Sequence, residues 1–280
     1  MLLFPYARLA SKLERSGCSG VAVVIDFDLT LTTGTSEECH DIIGTSPVMP
    51  LAVREKFSDL LDFSKPFPPE LEGALWWERA NEILLESKED ISPAMIREAA
   101  ITADVSLRPG AKELLCTLVE LSVPVLVCSA GVSDVIEAVL EDAGVPIGSS
   151  ECDNVLSISS NRLVFQDGRL QSVVPSPPIT SLNKGLTFER NRNWFEAARR
   201  TGRTGLLVLG DRISDLTVAA GAPDNAYTIA SVGIYNDTPH GPATTIDEFE
   251  PKFDAVIRGD EGSLDPVRAL VHELEVEKLT

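Results

Sequence analysis

Five consecutive apolar residues, Val21-Ala22-Val23-Val24-Ile25, run directly into Asp26-Phe27-Asp28. An unbroken apolar run of this length, rich in β-branched side chains, suits a strand covered on both faces, the setting of a parallel sheet. Two further runs share that character: Val123-Pro124-Val125-Leu126-Val127-Cys128 and Leu206-Leu207-Val208-Leu209. Pro124 is tolerable because it stands at a strand start. Helical patterns alternate with these runs. Val135, Ile136, Val139, Leu140 and Ala143 mark one helical face closed by Gly144, and Asp265-Pro266 opens a last helix with Val267, Leu270, Val271 and Leu274 facing inward. The expected fold is α/β, a Rossmann-like parallel-sheet core layered by helices.

The stretch between the first two strands contains no strand-like run. Helical spacing covers 50–61, with Leu51, Phe57, Leu60 and Leu61 as its apolar face, and 69–85, with Leu71, Trp76, Trp77, Ile83 and Leu84. Ser92-Pro93 opens a third helix as cap and first-turn proline. Arg108-Pro109-Gly110 then turns the chain towards the second strand. This organisation predicts a core made of residues 1–44 and 109–280 with a helical cap, 45–108, inserted over one end of the sheet. At 280 residues and 44% apolar, the chain is long enough for both. Further on, Leu163-Val164-Phe165 and Leu170-Gln171-Ser172-Val173 flank Asp167-Gly168, a hairpin signal.

Charge narrows the function. With 24 Lys+Arg against 43 Asp+Glu the formal net charge is −19, which repels a nucleic-acid polymer but leaves small anions open where donors and a metal reverse the field locally. Five scattered cysteines without metal-ligand spacing read as reduced thiols of an intracellular protein. No apolar run approaches the ~20 residues needed to span a bilayer. Arg8, Lys12 and Arg15, interrupted by Glu14, read as an amphipathic first helix rather than an organellar presequence. The expectation is a soluble cytoplasmic protein, and a monomer, since no coiled-coil heptads occur.

In open α/β sheets, sites gather beyond the C-terminal strand ends. Asp26 and Asp28, two apart on an extended segment, point the same way and repel unless a divalent cation neutralises them. One carboxylate can then be a nucleophile while the other handles protons. After the second strand, Ser129-Ala130-Gly131 offers a hydroxyl and amides to a phosphate, with a plain helix N-cap as the alternative. After the third, Asp211 and Asp215 in Gly210-Asp211-Arg212-Ile213-Ser214-Asp215 suit a Mg²⁺ site, a simple Asp cap being the alternative. Lys184 in Asn183-Lys184-Gly185 is either a phosphate partner or a solvated surface charge.

Together these segments resemble the haloacid dehalogenase-like superfamily, whose signature is D-x-D-x-T, then Ser/Thr, then Lys, then an acidic pair; Asp26-Phe27-Asp28-Leu29-Thr30, Ser129, Lys184, and Asp211 with Asp215 match it in order. The finer pattern resembles the cytosolic type III (pyrimidine) 5′-nucleotidases, on Ile25 through Thr32, Cys39-His40-Asp41-Ile42-Ile43, Ser129 through Val135, the stretch from Asn154, Asn183-Lys184-Gly185, Leu209-Gly210-Asp211 with Asp215-Leu216, and Tyr235-Asn236-Asp237. The resemblance implies a HAD-like core with a cap, and Mg²⁺ held by Asp26, the Asp28 backbone carbonyl and Asp211, with Asp215 behind. It implies attack by Asp26 on phosphorus to give an aspartyl-phosphate, and proton transfer by Asp28. Ser129, the amides near Ala130 and Gly131, and Lys184 would hold the phosphoryl oxygens. The implied activity is hydrolysis of nucleoside 5′-monophosphates.

One position departs from that family. Its cap helix presents an acidic residue before paired aromatics that contact the base; here the aromatics are Trp76-Trp77, but Leu75 precedes them. Glu72 and Glu78 lie nearby without occupying the motif position. A tryptophan can stack on a base, or it can pack inside the cap. An apolar residue cannot replace a carboxylate that reads a base amino group, so the expected substrate class also includes other small phosphorylated metabolites. A catalytically silent phosphate-binding protein is the third reading, against which the full set of acidic and basic residues speaks.

Overall fold

A computed structural model describes residues 5–15, 20–62, 75–147, 156–238 and 244–276. Helix α1 (Tyr6–Arg15) is followed by strand β1 (Val21–Ile25), then α2 (Cys39–Thr45), α3 (Leu51–Leu60), α4 (Leu75–Glu86), α5 (Pro93–Thr102) and α6 (Ala111–Glu120). Then come β2 (Val125–Val132), α7 (Ser133–Asp142), β3 (Leu156–Gln166), β4 (Arg169–Val174), α8 (Thr187–Arg190), α9 (Arg192–Arg200) and β5 (Gly205–Gly210). The chain finishes with β6 (Thr228–Tyr235), α10 (Ile246–Phe249), β7 (Ala255–Arg258) and α11 (Asp265–Val276). The seven strands form one sheet in the order β4-β3-β2-β1-β5-β6-β7, parallel except for β4.

β1 is central and buried at every residue. Its alternation divides the core. Val21, Val23 and Ile25 pack on one face with Leu9 and Leu13 of α1, Leu114 and Leu118 of α6, and Leu270 and Val271 of α11. Ala22 and Val24 pack on the other face with Phe188 and Phe195 of α8 and α9. Continuous apolar runs are what such two-sided burial demands. The second run is paired only from Val125, because Pro124 has no N–H; its carbonyl still accepts from Val23 at 2.9 Å. The hairpin forms as expected, with Gln166 opposite Arg169 and both Asp167 (φ 51°) and Gly168 (φ 77°) left-handed, as a two-residue type I′ turn requires.

Of the insertion, α3 and α5 match their expected positions, Ser92 capping α5 by accepting from the Met95 amide at 3.3 Å. α4 covers the second half of the expected 69–85 helix; Leu71 and Glu72 lie outside the described residues. The two connections to the core run together. Thr32 bridges Leu107, the Thr33 amide donates to the Ser106 carbonyl at 2.9 Å, and the Arg108 amide donates to the Leu31 carbonyl at 2.8 Å. Among the described residues no helix is long and apolar enough to cross a membrane, and Cys39, Cys116 and Cys128 are free thiols. Cys18 and Cys152 lie outside those residues.

Candidate active site

Asp26 and Asp211 follow directly on β1 and β5, Ser129 lies near the C-terminal end of β2, and Lys184 comes from the segment after β4. Asp26 leaves β1 with its amide still donating to the Leu209 carbonyl of β5 at 3.0 Å. Its Oδ1 accepts from the Phe27 amide at 2.9 Å, and its Oδ2 lies 2.7 Å from Lys184 Nζ. Lys184 opens a short 3₁₀ turn, Lys184–Leu186, and also pairs with Asp215 Oδ1 at 2.5 Å. At 2% exposure it is a buried counter-ion, so the surface-charge alternative does not apply. Burial alone would strip its proton, but Asp215 and Asp26 overcome that and hold it cationic.

Asp215 sits in a second 3₁₀ turn, Ile213–Thr217, where its Oδ2 accepts from the Arg212 amide at 2.9 Å. That close return explains Gly210: a Cβ there would lie 2.1 Å from Asp215 Oδ2. One carboxylate oxygen each from Asp26, Asp211 and Asp215 lies within 4.8 Å of the others. Burial, then the charges of Asp26 and Asp215, push Asp211 well above the usual carboxylate range. Asp215 is raised to about 6, burial and Asp26 outweighing Lys184. Two buried carboxylates and the half-buried Asp211 face one another with Lys184 and Arg212 beside them, an incompletely neutralised nest of hard oxygen donors that fits a divalent cation such as Mg²⁺.

Asp28, two residues beyond Asp26, is held by a different element. Its Oδ1 accepts from the Cys39 amide of α2 at 3.0 Å, and its Oδ2 lies 3.5 Å from the Ser129 hydroxyl. Burial, with the charges of Glu38 and Asp26, raises its pKa to about 8 against the bonds from Cys39. Ser129 is not an N-cap: β2 continues through Val132, and α7 begins only at Ser133. The Ser129 Oγ instead accepts from the Gly131 amide at 2.9 Å, curling residues 129–131 over Asp28. Gly131 is needed there, since a Cβ would meet Cys39 Sγ at 2.6 Å and Asp28 Oδ2 at 2.8 Å.

Several residues that carry this geometry escape a motif-based reading. Asn161 of β3, 1% exposed, donates to the carbonyls of Ala130 (2.9 Å), Gly131 (3.1 Å) and Ile179 (2.9 Å), while Ser160 Oγ donates to Gly131 (2.8 Å). Both polar side chains inside a strand fix the irregular 129–131 stretch of β2, and polarity at buried strand positions was the available signal. Arg212, with Nε 3.8 Å from Asp211, brings a second cation to the site. The tryptophans stand further out. Trp76 is half-buried, packs edge-on to His40 at 5.0 Å between centroids, and donates its indole N–H to the Leu60 carbonyl at 3.1 Å. Trp77 meets Trp76 edge-on at 5.3 Å, and Leu75 is 43% exposed.

A parallel sheet with β1 at its centre, bearing Asp26 and Asp28 at its C-terminal end and Lys184, Asp211 and Asp215 on neighbouring loops, defines a haloacid dehalogenase-like hydrolase. Comparison with known proteins agrees. An apo phosphoserine phosphatase superposes with a TM-score of 0.52 at 17% identity, over 89% of this chain and 97% of its own. Cytosolic 5′-nucleotidase IIIB bound to cytidine superposes with a TM-score of 0.73 at 24% identity, over 98% and 92%. The family model for pyrimidine 5′-nucleotidase (UMPH-1) matches residues 33–275, and the chain belongs to that family of phosphoric monoester hydrolases. Relatives include the 7-methylguanosine phosphate-specific 5′-nucleotidases of Gallus gallus, 29% identical over 95% of this chain and 91% of its own, and of Homo sapiens, 26% identical over 95% and 88%.

Proposed function

We propose that this chain is a Mg²⁺-dependent 5′-nucleotidase that hydrolyses nucleoside 5′-monophosphates through an aspartyl-phosphate on Asp26. The observation that carries the reading is the single buried network in which Lys184 ties Asp26 to Asp215 while Asp211 faces both. Asp26 is the nucleophile of this reading, its carboxylate held by the Phe27 amide on Oδ1 and by Lys184 on Oδ2, which supports a fixed direction of attack. Asp28, protonated near neutral pH, donates its proton to the leaving 5′-oxygen and then receives one from the attacking water. Ser129, the amides of Ala130 and Gly131, and Lys184 hold the phosphoryl oxygens. Asp26, the Asp28 carbonyl, Asp211 and, behind them, Asp215 would hold the Mg²⁺, which would neutralise charge on the phosphoryl group.

Residues 45–108 act as a cap that closes over this end of the sheet and excludes water. Trp76 and Trp77 face the base. The relatives' names extend the candidate bases from pyrimidines to 7-methylguanine, a cationic ring suited to aromatic stacking. The protein works as a cytosolic monomer on small phosphate esters. Phosphate release measured with Mg²⁺ and with EDTA, across cytidine, uridine and 7-methylguanosine 5′-monophosphates and common sugar phosphates, tests the reading. Mg²⁺-dependent release favouring nucleotides is expected; release confined to sugar phosphates would refute the substrate class.

A further inference from the structure

Arg108 stands where the insertion returns to the core, and it is 1% exposed. Its guanidinium meets six oxygens. Nε donates to the Thr30 carbonyl at 3.1 Å. One terminal nitrogen donates to the carbonyls of Gly259 (2.9 Å), Asp260 (2.9 Å) and Gly262 (3.3 Å) in the loop after β7. The other donates to the Leu29 carbonyl (3.0 Å) and to Asn236 Oδ1 (2.6 Å). All six acceptors are neutral oxygens, the charges of Asp211, Asp260 and Glu261 acting from further off, and the rigid five-donor fork of arginine matches the layout of the six.

The Leu29 carbonyl is the focus of this arrangement. It also accepts from Asn236 Nδ2 at 2.9 Å, and the Leu29 amide donates to Thr32 Oγ1 at 2.8 Å. Leu29 itself is left-handed, φ 58°, a conformation that a γ-branched residue adopts only when its surroundings impose it. It follows Asp28 directly, so the peptide joining them sets the direction of the Asp28 carbonyl and the approach of its side chain. Relaxation of Leu29 to a negative φ swings that peptide.

We propose that Arg108 and Asn236 are positioning residues that pin Leu29 in its left-handed conformation and thereby aim Asp28 at the leaving oxygen. The proposal rests on Asp28 being the proton donor. Because Asn236 comes from the loop after β6 and Arg108 from the end of the insertion, the aim of Asp28 is coupled to where the insertion meets the core. Neither residue belongs to the set proposed to hold the phosphate or the metal.

The test uses the full-length enzyme with Mg²⁺ and two substrates, a nucleoside 5′-monophosphate, whose alkoxide needs protonation, and p-nitrophenyl phosphate, whose phenolate does not. In single-turnover mixing, Asn236→Ala should lower the rate of nucleoside release from the nucleotide roughly 10–100-fold, and that of p-nitrophenol release from p-nitrophenyl phosphate by less than about 3-fold. Arg108→Lys should behave alike; should it fail to fold, Asn236→Ala carries the test alone. In an Asp28→Asn background Asn236→Ala should cost less than about 3-fold on either substrate, because its route of action is gone. Equal losses on both substrates in Asn236→Ala, or losses that add to those of Asp28→Asn, would overturn the proposal and leave Asn236 a merely structural residue. If Asp28→Asn alone does not distinguish the substrates in leaving-group release within the first turnover, the acid role of Asp28 is refuted instead. The additivity result then decides for or against the positioning role.

Discussion

The proposed phosphate end and the proposed base end of the site are built on different terms. At the phosphate end Asp26, Ser129, Lys184 and Asp215 are each less than 10% exposed, and every one is committed to a named partner at a fixed distance. At the base end Leu75 is 43% exposed, Trp76 and Trp77 are half-buried, and their contacts are edge-on aromatic packing and one indole hydrogen bond. A buried charge network tolerates few substitutions, because losing one partner leaves another charge unpaired in low dielectric. A half-exposed aromatic shelf can change residue by residue at little structural cost. On the proposed assignment, reaction type is written into the protected end, and substrate preference into the end open to change.

Breaking the phosphate end gives the largest effects. Asp26→Asn should lower kcat roughly 10⁴-fold or more on every substrate, measured by phosphate release, while the fold is kept. Lys184→Met should cost roughly 10²–10³-fold in kcat/KM. In the metal-free protein it should also lower unfolding free energy by about 3–5 kcal/mol in urea titrations, since Asp26 and Asp215 would be buried without their cation.

Between the two ends lies His40, buried against Trp76 and lowered by burial to about 4 from an ordinary 6.5. Its folded value is depressed, so stability is complete above the unfolded value. It is lost as pH falls from about 6.5 towards 4, where the unfolded chain takes up a proton that the folded one refuses, by about 3 kcal/mol at most. His40→Phe should flatten the difference between urea stabilities at pH 7 and pH 4.5 relative to the parent; identical pH profiles would contradict this. The smallest change is expected at the base end. Leu75→Glu should raise kcat/KM for a nucleotide whose base carries an exocyclic amino group by roughly 10-fold over its keto counterpart, leaving p-nitrophenyl phosphate unaffected. An equal effect on all three would show that Leu75 does not face the base.

The same contrast explains what was legible in the sequence. β1, β2 and β5 announce themselves because both faces are buried, and the charged residues at their ends stand out against the apolar runs. β6, β7 and the first half of β3 do not, although the second half of β3 shows through its hairpin turn. β3 carries Ser157, Ser159, Ser160, Asn161 and Arg162 in succession or alternation, β6 contains Thr228, Ser231 and Gly233, and β7 has only four residues. The polarity that hides the first half of β3 is the polarity that fixes the 129–131 stretch through Asn161 and Ser160. Local pattern reveals a residue whose environment is uniform along the chain. Asn161, Arg108 and Cys39 act on loops 30 to more than 150 residues away or on a carboxylate from another element, and no local pattern records such partners.

The central claim is that Asp26 takes the phosphoryl group. Asp28→Asn enzyme, in which breakdown of an aspartyl-phosphate is slowed, should be mixed with p-nitrophenyl phosphate and Mg²⁺, quenched in acid within the first turnover, digested and examined by mass spectrometry. The account predicts one hydroxylamine-labile phosphoryl group on the peptide containing Asp26, matching the p-nitrophenol released and absent when Asp26 is also replaced by Asn. Stoichiometric p-nitrophenol release with no phosphoryl group on Asp26 would contradict it.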